Sequence, residues 1–170
     1  MKPHPRVSPR YLKRSSDFVY VREDDDKDHF YVVLYRGSNL QSELGFINAR
    51  LKSFDLSKPN ALTNASCITD VKNLIRYFPS LEKRERVSIL IMHESDLSPE
   101  FHGRGIGKRL YLECMREGWE DNGRKPFIFV PHYCISGKTS GDAKRVWTSL
   151  ARKYPSSGDC IAVLESPVNS

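Results

Sequence analysis

The run VSILIMHE, residues 87 to 94, is almost continuously apolar and rich in branched aliphatic side chains. A strand with one face in water alternates polar and apolar residues, so a strand that does not alternate must be covered on both faces. The rest of the chain supplies covers. Val71, Leu74, Ile75 and Phe78 recur at helical spacing and stop at Pro79. Leu110, Tyr111, Cys114, Met115 and Trp119 form a second stripe, ending near Asn122 and Gly123. Ala143, Val146, Trp147, Leu150, Ala151 and Tyr154 form a third. Buried strands interleaved with amphipathic helices predict one mixed α/β domain.

Other segments fill in the order. DFVYVR (17–22) and HFYVVLYR (29–36) read as strands separated by the acidic turn EDDDKD, and LGFINARL (44–51) as the returning strand of a hairpin. Thr69 or Asp70 is a suitable cap for the first helix. KPFIFVP (125–131) is another buried strand, a helix is expected over 142–154, and DCIAVLE (159–165) is the last strand. Residues 1 to 16 hold three prolines and show no periodicity, so they read as an irregular basic N-terminal arm before a domain spanning 17–170.

With 170 residues, one domain with a real core is the natural size. No apolar run is long enough to span a membrane. The basic N-terminus lacks the apolar stretch of a secretory signal, which makes the cytoplasm the expected address. The four cysteines, at 67, 114, 134 and 160, form no CxxC pair, so free buried thiols are expected and a metal site is not. A net charge of +6 favours anionic partners, whether a polyphosphate cofactor or a nucleic acid.

Three residues after the apolar strand comes SPEFHGRGIGKRL, with Gly103, Gly105 and Gly107 at the start of a helix. Glycines let a backbone close in on an anion, and a helix start adds its own amide dipoles. The dinucleotide fingerprint G-x-G-x-x-G fails here, because the spacing is G-x-G-x-G and eight residues intervene after the strand. The nucleotide-triphosphate loop G-x-x-x-x-G-K-[ST] fails too: His102 holds its first glycine position and Arg109 its hydroxyl position. HYCISGKTS (132–140) carries Gly137-Lys138-Thr139, but His132 stands where the first glycine belongs.

DLSPEFHGRGIGKRL resembles motif A of the GNAT family of acetyl-CoA-dependent N-acetyltransferases. Leu97 takes that motif's apolar place and Pro99 its proline place, while His102, Gly103, Arg104, Gly105, Ile106 and Gly107 take the loop. His102 departs from the Gln or Arg usual at the first loop position. The resemblance covers Val87 to Glu165 and implies a mixed, mostly antiparallel twisted sheet flanked by helices. It also implies acetyl-CoA as cofactor, with loop amides from His102 to Lys108 on its pyrophosphate. Lys108, Arg104 or Arg109 would add charge near the phosphates, and Ser95 to Leu97 would run beside the pantetheine arm. The two helices the family carries between its first strands have no counterpart here.

The same resemblance implies a base on the strand before the loop. Glu94 is the first choice and His93 the second, on opposite sides of the strand because side chains alternate. In the family's last-helix pattern Ser140 and Ala143 match in spacing, with Ser140 on the cofactor side, but Trp147 occupies the place of the tyrosine that protonates the leaving thiolate. An indole cannot serve as that acid. Tyr154, two helical turns on, and Tyr133 are the candidate acids in its place, while Trp147 is expected in the core. His29 and His4 are assigned no role.

The expected function is transfer of an acetyl group from acetyl-CoA to an amine acceptor on a protein, a small molecule or an aminoacyl-tRNA. Trp147 motivates one alternative, a catalytically silent CoA-binding or structural protein of the same fold. The basic arm motivates another, a nucleic-acid-binding protein. The acidic turn at Asp24 to Asp28 suits a cationic acceptor and the basic surface suits tRNA; monomer and homodimer both remain open.

Overall fold

The computed structural model describes residues 7–14 (backbone only), 17–25, 28–37, 40, 42–55, 57–58, 62, 65–131 and 141–167. The chain divides into two compact units. One comprises Met1–Arg50 with His93–Cys114, the other Leu51–Met92 with Met115–Ser170.

The first unit is built on antiparallel strands. β1 (Val7–Arg14), β2 (Phe18–Asp24), β3 (His29–Arg36) and the first part of β4 (Ser42–Asp55) pair in chain order. β1 is a departure from the irregular arm expected over 1–16. Its pairing with β2 shifts register twice, between Val7 and Arg10 and again between Tyr11 and Lys13. Such bulged pairing suits a segment with no clean alternation to pin it. The β2–β3 ladder is regular from Phe18 opposite Arg36 to Asp24 opposite Phe30. Because side chains alternate, Val19, Val21, Val33, Tyr35 and Phe46 gather on one side as an apolar cluster. β6 (Arg86–Leu97) enters this unit at His93, and Ser98 donates its amide to the Leu44 carbonyl at 2.8 Å. α2 (Ile106–Asp121) contributes its first turns.

The second unit has its own core. α1 (Ala65–Tyr77) buries Cys67, Val71, Leu74 and Ile75 against Val87, Ile89, Ile91, Ile128 and Val130. The helix begins at Ala65, earlier than expected, and neither proposed cap caps it. Thr69 donates its hydroxyl to the Ala65 carbonyl one turn back, and Asp70 accepts from Ser157. β5 (Glu82–Lys83) turns into β6 through Arg84 and Glu85, both left-handed, as a two-residue primed hairpin turn requires. β6 then pairs in parallel with β7 (Phe127–Val130) over Ile89–Ile91. β7 pairs antiparallel with β9 (Cys160–Val163), and β9 with β8 (Ser156–Ser157). α3 (Gly141–Ala151) buries Trp147, whose ring lies 4.6 Å from that of Phe129, so the tryptophan is a core residue as expected.

The architecture is the expected mixed α/β one, a mostly antiparallel sheet with helices, in which β6 and β7 pair in parallel. Cys114 and Cys160 are free and buried, but Cys67 is disulfide-bonded, which corrects the expectation of free thiols there. Among the described residues no helix is long and apolar enough to cross a membrane. Nor does any group of His, Cys, Asp and Glu among them suit a metal ion.

Candidate functional site

The end of β6 and the glycine loop lie in the first unit. From His93 to Leu97 the strand alternates as expected: His93, Ser95 and Leu97 are half-buried, while Glu94 and Asp96 are exposed on the other side. Ser95 shares a 3.0 Å hydroxyl–hydroxyl hydrogen bond with Tyr111 of α2, which fixes that face of the strand to the helix. Asp96 accepts the Leu97 amide at 2.9 Å, so its carboxylate is held by its own backbone.

A single 3-10 turn, Pro99–Phe101, follows. Proline suits its first position because its φ is already set there and its missing N–H leaves no unpaired donor. Phe101 is buried beneath the loop, edge-on to Phe18, with the Arg36 and Arg104 guanidiniums over its ring at 5.5 and 5.7 Å. His102 Nε2 donates to the Leu97 carbonyl at 2.8 Å and so ties the loop back to the strand end. That side chain acts on the loop's shape, which gives a physical role to the residue that departs from the family pattern.

Gly103 and Gly105 have φ of +72° and +77°, and Arg104 between them does not share that sign. Alternation of this kind turns successive amides towards one concave side, the arrangement that holds anions. A Cβ built on either glycine meets nothing within 4 Å, so it is the left-handed backbone and not crowding that calls for glycine here. The first α2 bond runs from the Arg109 amide to the Gly105 carbonyl at 3.1 Å. The amides of Ile106 and Gly107 therefore fall in the first turn of the helix, ahead of its backbone ladder.

Two expected roles change. Arg109 does not add charge to the loop: its guanidinium makes 2.7 and 2.9 Å contacts to Glu113, which is buried on α2. His29, given no role by the sequence, sets its ring 4.9 Å from that of His93, at 70°.

Glu94 has a neighbour that sequence reading missed. The Tyr31 phenol is held above its usual pKa, by burial first and then by the carboxylates of Asp25 and Glu94. Only strand pairing brings the acidic turn and the β6 carboxylate to one phenol; the alternation of HFYVVLYR shows that Tyr31 has a side, not which residues it meets. Tyr154 lies in the second unit, where burial raises its phenol most, Arg116 opposes the rise and Glu165 adds to it. Ser140 and Tyr133 fall outside the described residues.

No protein-family model matches the sequence, and no curated protein matches it. Among solved structures, the chain is similar to "AtaT complexed with acetyl-methionyl-tRNAfMet", with a TM-score of 0.46 and 13% identity over 81% of this chain and 72% of that one.

Proposed function

We propose that this chain is an N-acetyltransferase that takes its acetyl group from acetyl-CoA and passes it to an amine. One observation carries the reading. The motif A residues form a strand, a 3-10 turn and a pair of left-handed glycines opening onto a helix N-terminus. The pyrophosphate of coenzyme A would sit against the amides from Gly103 to Gly107; the His102 amide, included in the sequence expectation, is instead bonded to the Pro99 carbonyl at 3.1 Å. Ser95 and Leu97 run beside the pantetheine arm in this reading.

When bound, acetyl-CoA supplies the activated acyl carbon. This chain's residues supply the proton handling. Glu94, exposed at the strand end, accepts a proton from the incoming amine as its nitrogen bonds to the acyl carbon and the carbon–sulfur bond breaks. His93 is the second choice for that base. Tyr154, the phenol that the family resemblance offers as acid for the leaving thiolate, belongs to the second unit, and burial first holds its pKa above the usual value.

Acetyl-CoA raising the melting temperature, with the rise lost in Gly103→Val and Gly105→Val, is the expected result. A melting curve that ignores saturating acetyl-CoA overturns the reading. Trp147 buried in the position of the family tyrosine favours the silent alternative. A thermal shift with no acetylated product from lysine peptides, polyamines or aminoacyl-tRNA would select it.

A further inference from the structure

At one end of the second unit the sheet gathers cations. In the β5–β6 hairpin Lys83 lies opposite Arg86, with Arg84 in the turn between them. Further along, β6 pairs in parallel with β7, Ile89 level with Ile128. Three residues earlier on each chain Arg86 stands level with Lys125, so register draws Lys83 and Lys125 to the same end of the sheet. Asn122 pins the approach to β7, donating its side-chain amide to the Lys125 carbonyl at 2.9 Å and the Pro126 carbonyl at 3.1 Å.

Two arginines of this group are already engaged. Arg86 reaches across to Ser53, 3.0 Å from its hydroxyl and 2.8 Å from its carbonyl, and Arg124 pairs with Glu120 at 3.0 Å. Lys83 and Lys125 are exposed, and their amino groups lie within hydrogen-bonding reach of each other. Among the described residues neither of them meets a carboxylate. Glu82 points to the opposite face of its strand, and Glu85 belongs to the turn.

Two ammonium groups carry donors only, so a hydrogen bond between them needs one amine to be neutral and to accept. Lys83 is that amine. Lys125 beside it, by charge first and then by the hydrogen bond, holds the Lys83 ammonium below its usual pKa, and Arg84 acts in the same direction. A neutral, exposed amine next to another cation is a nucleophile. An electrophile that left the nitrogen uncharged would end the repulsion but give Lys125 and Arg84 no counter-charge. One that leaves a negative group turns the repulsion into attraction.

We propose that Lys83 is a carbon dioxide site, taking up the gas as a carbamate paired with Lys125. The Lys83 nitrogen lone pair bonds to the carbon of CO2, one carbon–oxygen π pair moves onto oxygen, and the nitrogen passes a proton to water. No oxidant, reductant or second reactant is needed. The carbamate bears one negative charge and accepts hydrogen bonds from the Lys125 ammonium, with Arg84 adding positive charge nearby. The site lies outside the glycine loop and stands whether or not the chain transfers acetyl groups.

Alkylative trapping of carbamates on the full chain in bicarbonate buffer, read by peptide mass spectrometry, tests the site directly. A trapped adduct at Lys83 is expected, absent in Lys83→Met. In Lys125→Met it should fall roughly fivefold, the effect of one unit charge at about 4 Å in water. Lys83→Glu sets a permanent carboxylate beside Lys125, so that variant should melt higher than the parent in CO2-free buffer. No adduct at Lys83 in the parent, or an adduct indifferent to Lys125→Met, overturns the proposal. So does a Lys83→Glu variant that melts no higher than the parent, because the two amines would then not be neighbours.

Discussion

Arg109 and Glu113 meet one helical turn apart on α2, with Nη2 2.7 Å from Oε1 and the carboxylate 1% exposed. The pair commits a loop-proximal arginine to the inside of its unit. Breaking it by Glu113→Ala leaves Arg109 without its buried partner and should cost about 3–5 kcal/mol, whereas Arg109→Met with Glu113→Leu should restore most of that. Urea denaturation of both variants checks this, and Glu113→Ala as stable as the parent would refute it.

Tyr20 sits beside that pair. Its phenol is pushed up to about 12, by burial first, with Arg109 pulling it down and Glu113 pushing it up. In the unfolded chain the phenol ionises near 10. The native state therefore holds this proton at a pH where the unfolded state has lost it. The contribution is full below about pH 10 and disappears as pH rises towards 12. Denaturation midpoints measured from pH 9 to 12 should fall more steeply for the parent than for Tyr20→Phe; parallel slopes would contradict this.

Gly105 tests the loop without disturbing packing. Its φ is +77° and a Cβ there meets no atom within 4 Å, so Gly105→Ala pays only a backbone cost of about 1 kcal/mol. The variant should stay folded by circular dichroism while its acetyl-CoA-induced thermal shift shrinks. Should the shift survive in full, the left-handed glycine is not needed for the cofactor.

Gly158 is the opposite case. It too is left-handed, at +57°, but an added Cβ would run into the Asp70 carboxylate, which Ser157 holds with a 2.9 Å hydrogen bond. Gly158→Ala should destabilise by about 2 kcal/mol or more through crowding plus backbone strain. In a double-mutant cycle with Asp70→Ala the effects should couple, the double variant losing less than the sum. Additive losses would show that the two residues do not collide.

The strand–loop–helix around Pro99 was legible because each of its steps is local. Pro99 presets its own φ, Gly103 and Gly105 permit left-handed backbone, and the Leu110–Met115 stripe declares a helix within a few residues. The start of α1 was misplaced for a related reason. Thr69 and Asp70 are good caps in isolation, but the helix runs back to Ala65, where Cys67 is buried in the core and Asp70 engages Ser157. Strand β1 carried no alternation to read, since backbone hydrogen bonds to β2 can hold a segment whatever its side chains prefer.

The sequence by itself thus determined the class of the fold, the glycine loop ahead of α2 and the alternation that separates His93 from Glu94. All of these follow from spacings of a few residues along one chain segment. Only the tertiary structure decided that Arg109 belongs to Glu113, that His29 meets His93, and that Glu23, Tyr31 and Asn48 stand in one row. Arg109 and Glu113 are an ordinary i,i+4 pair until burial holds the arginine to the carboxylate. The row depends on strand register, and a slip of one residue would send all three side chains to the other face.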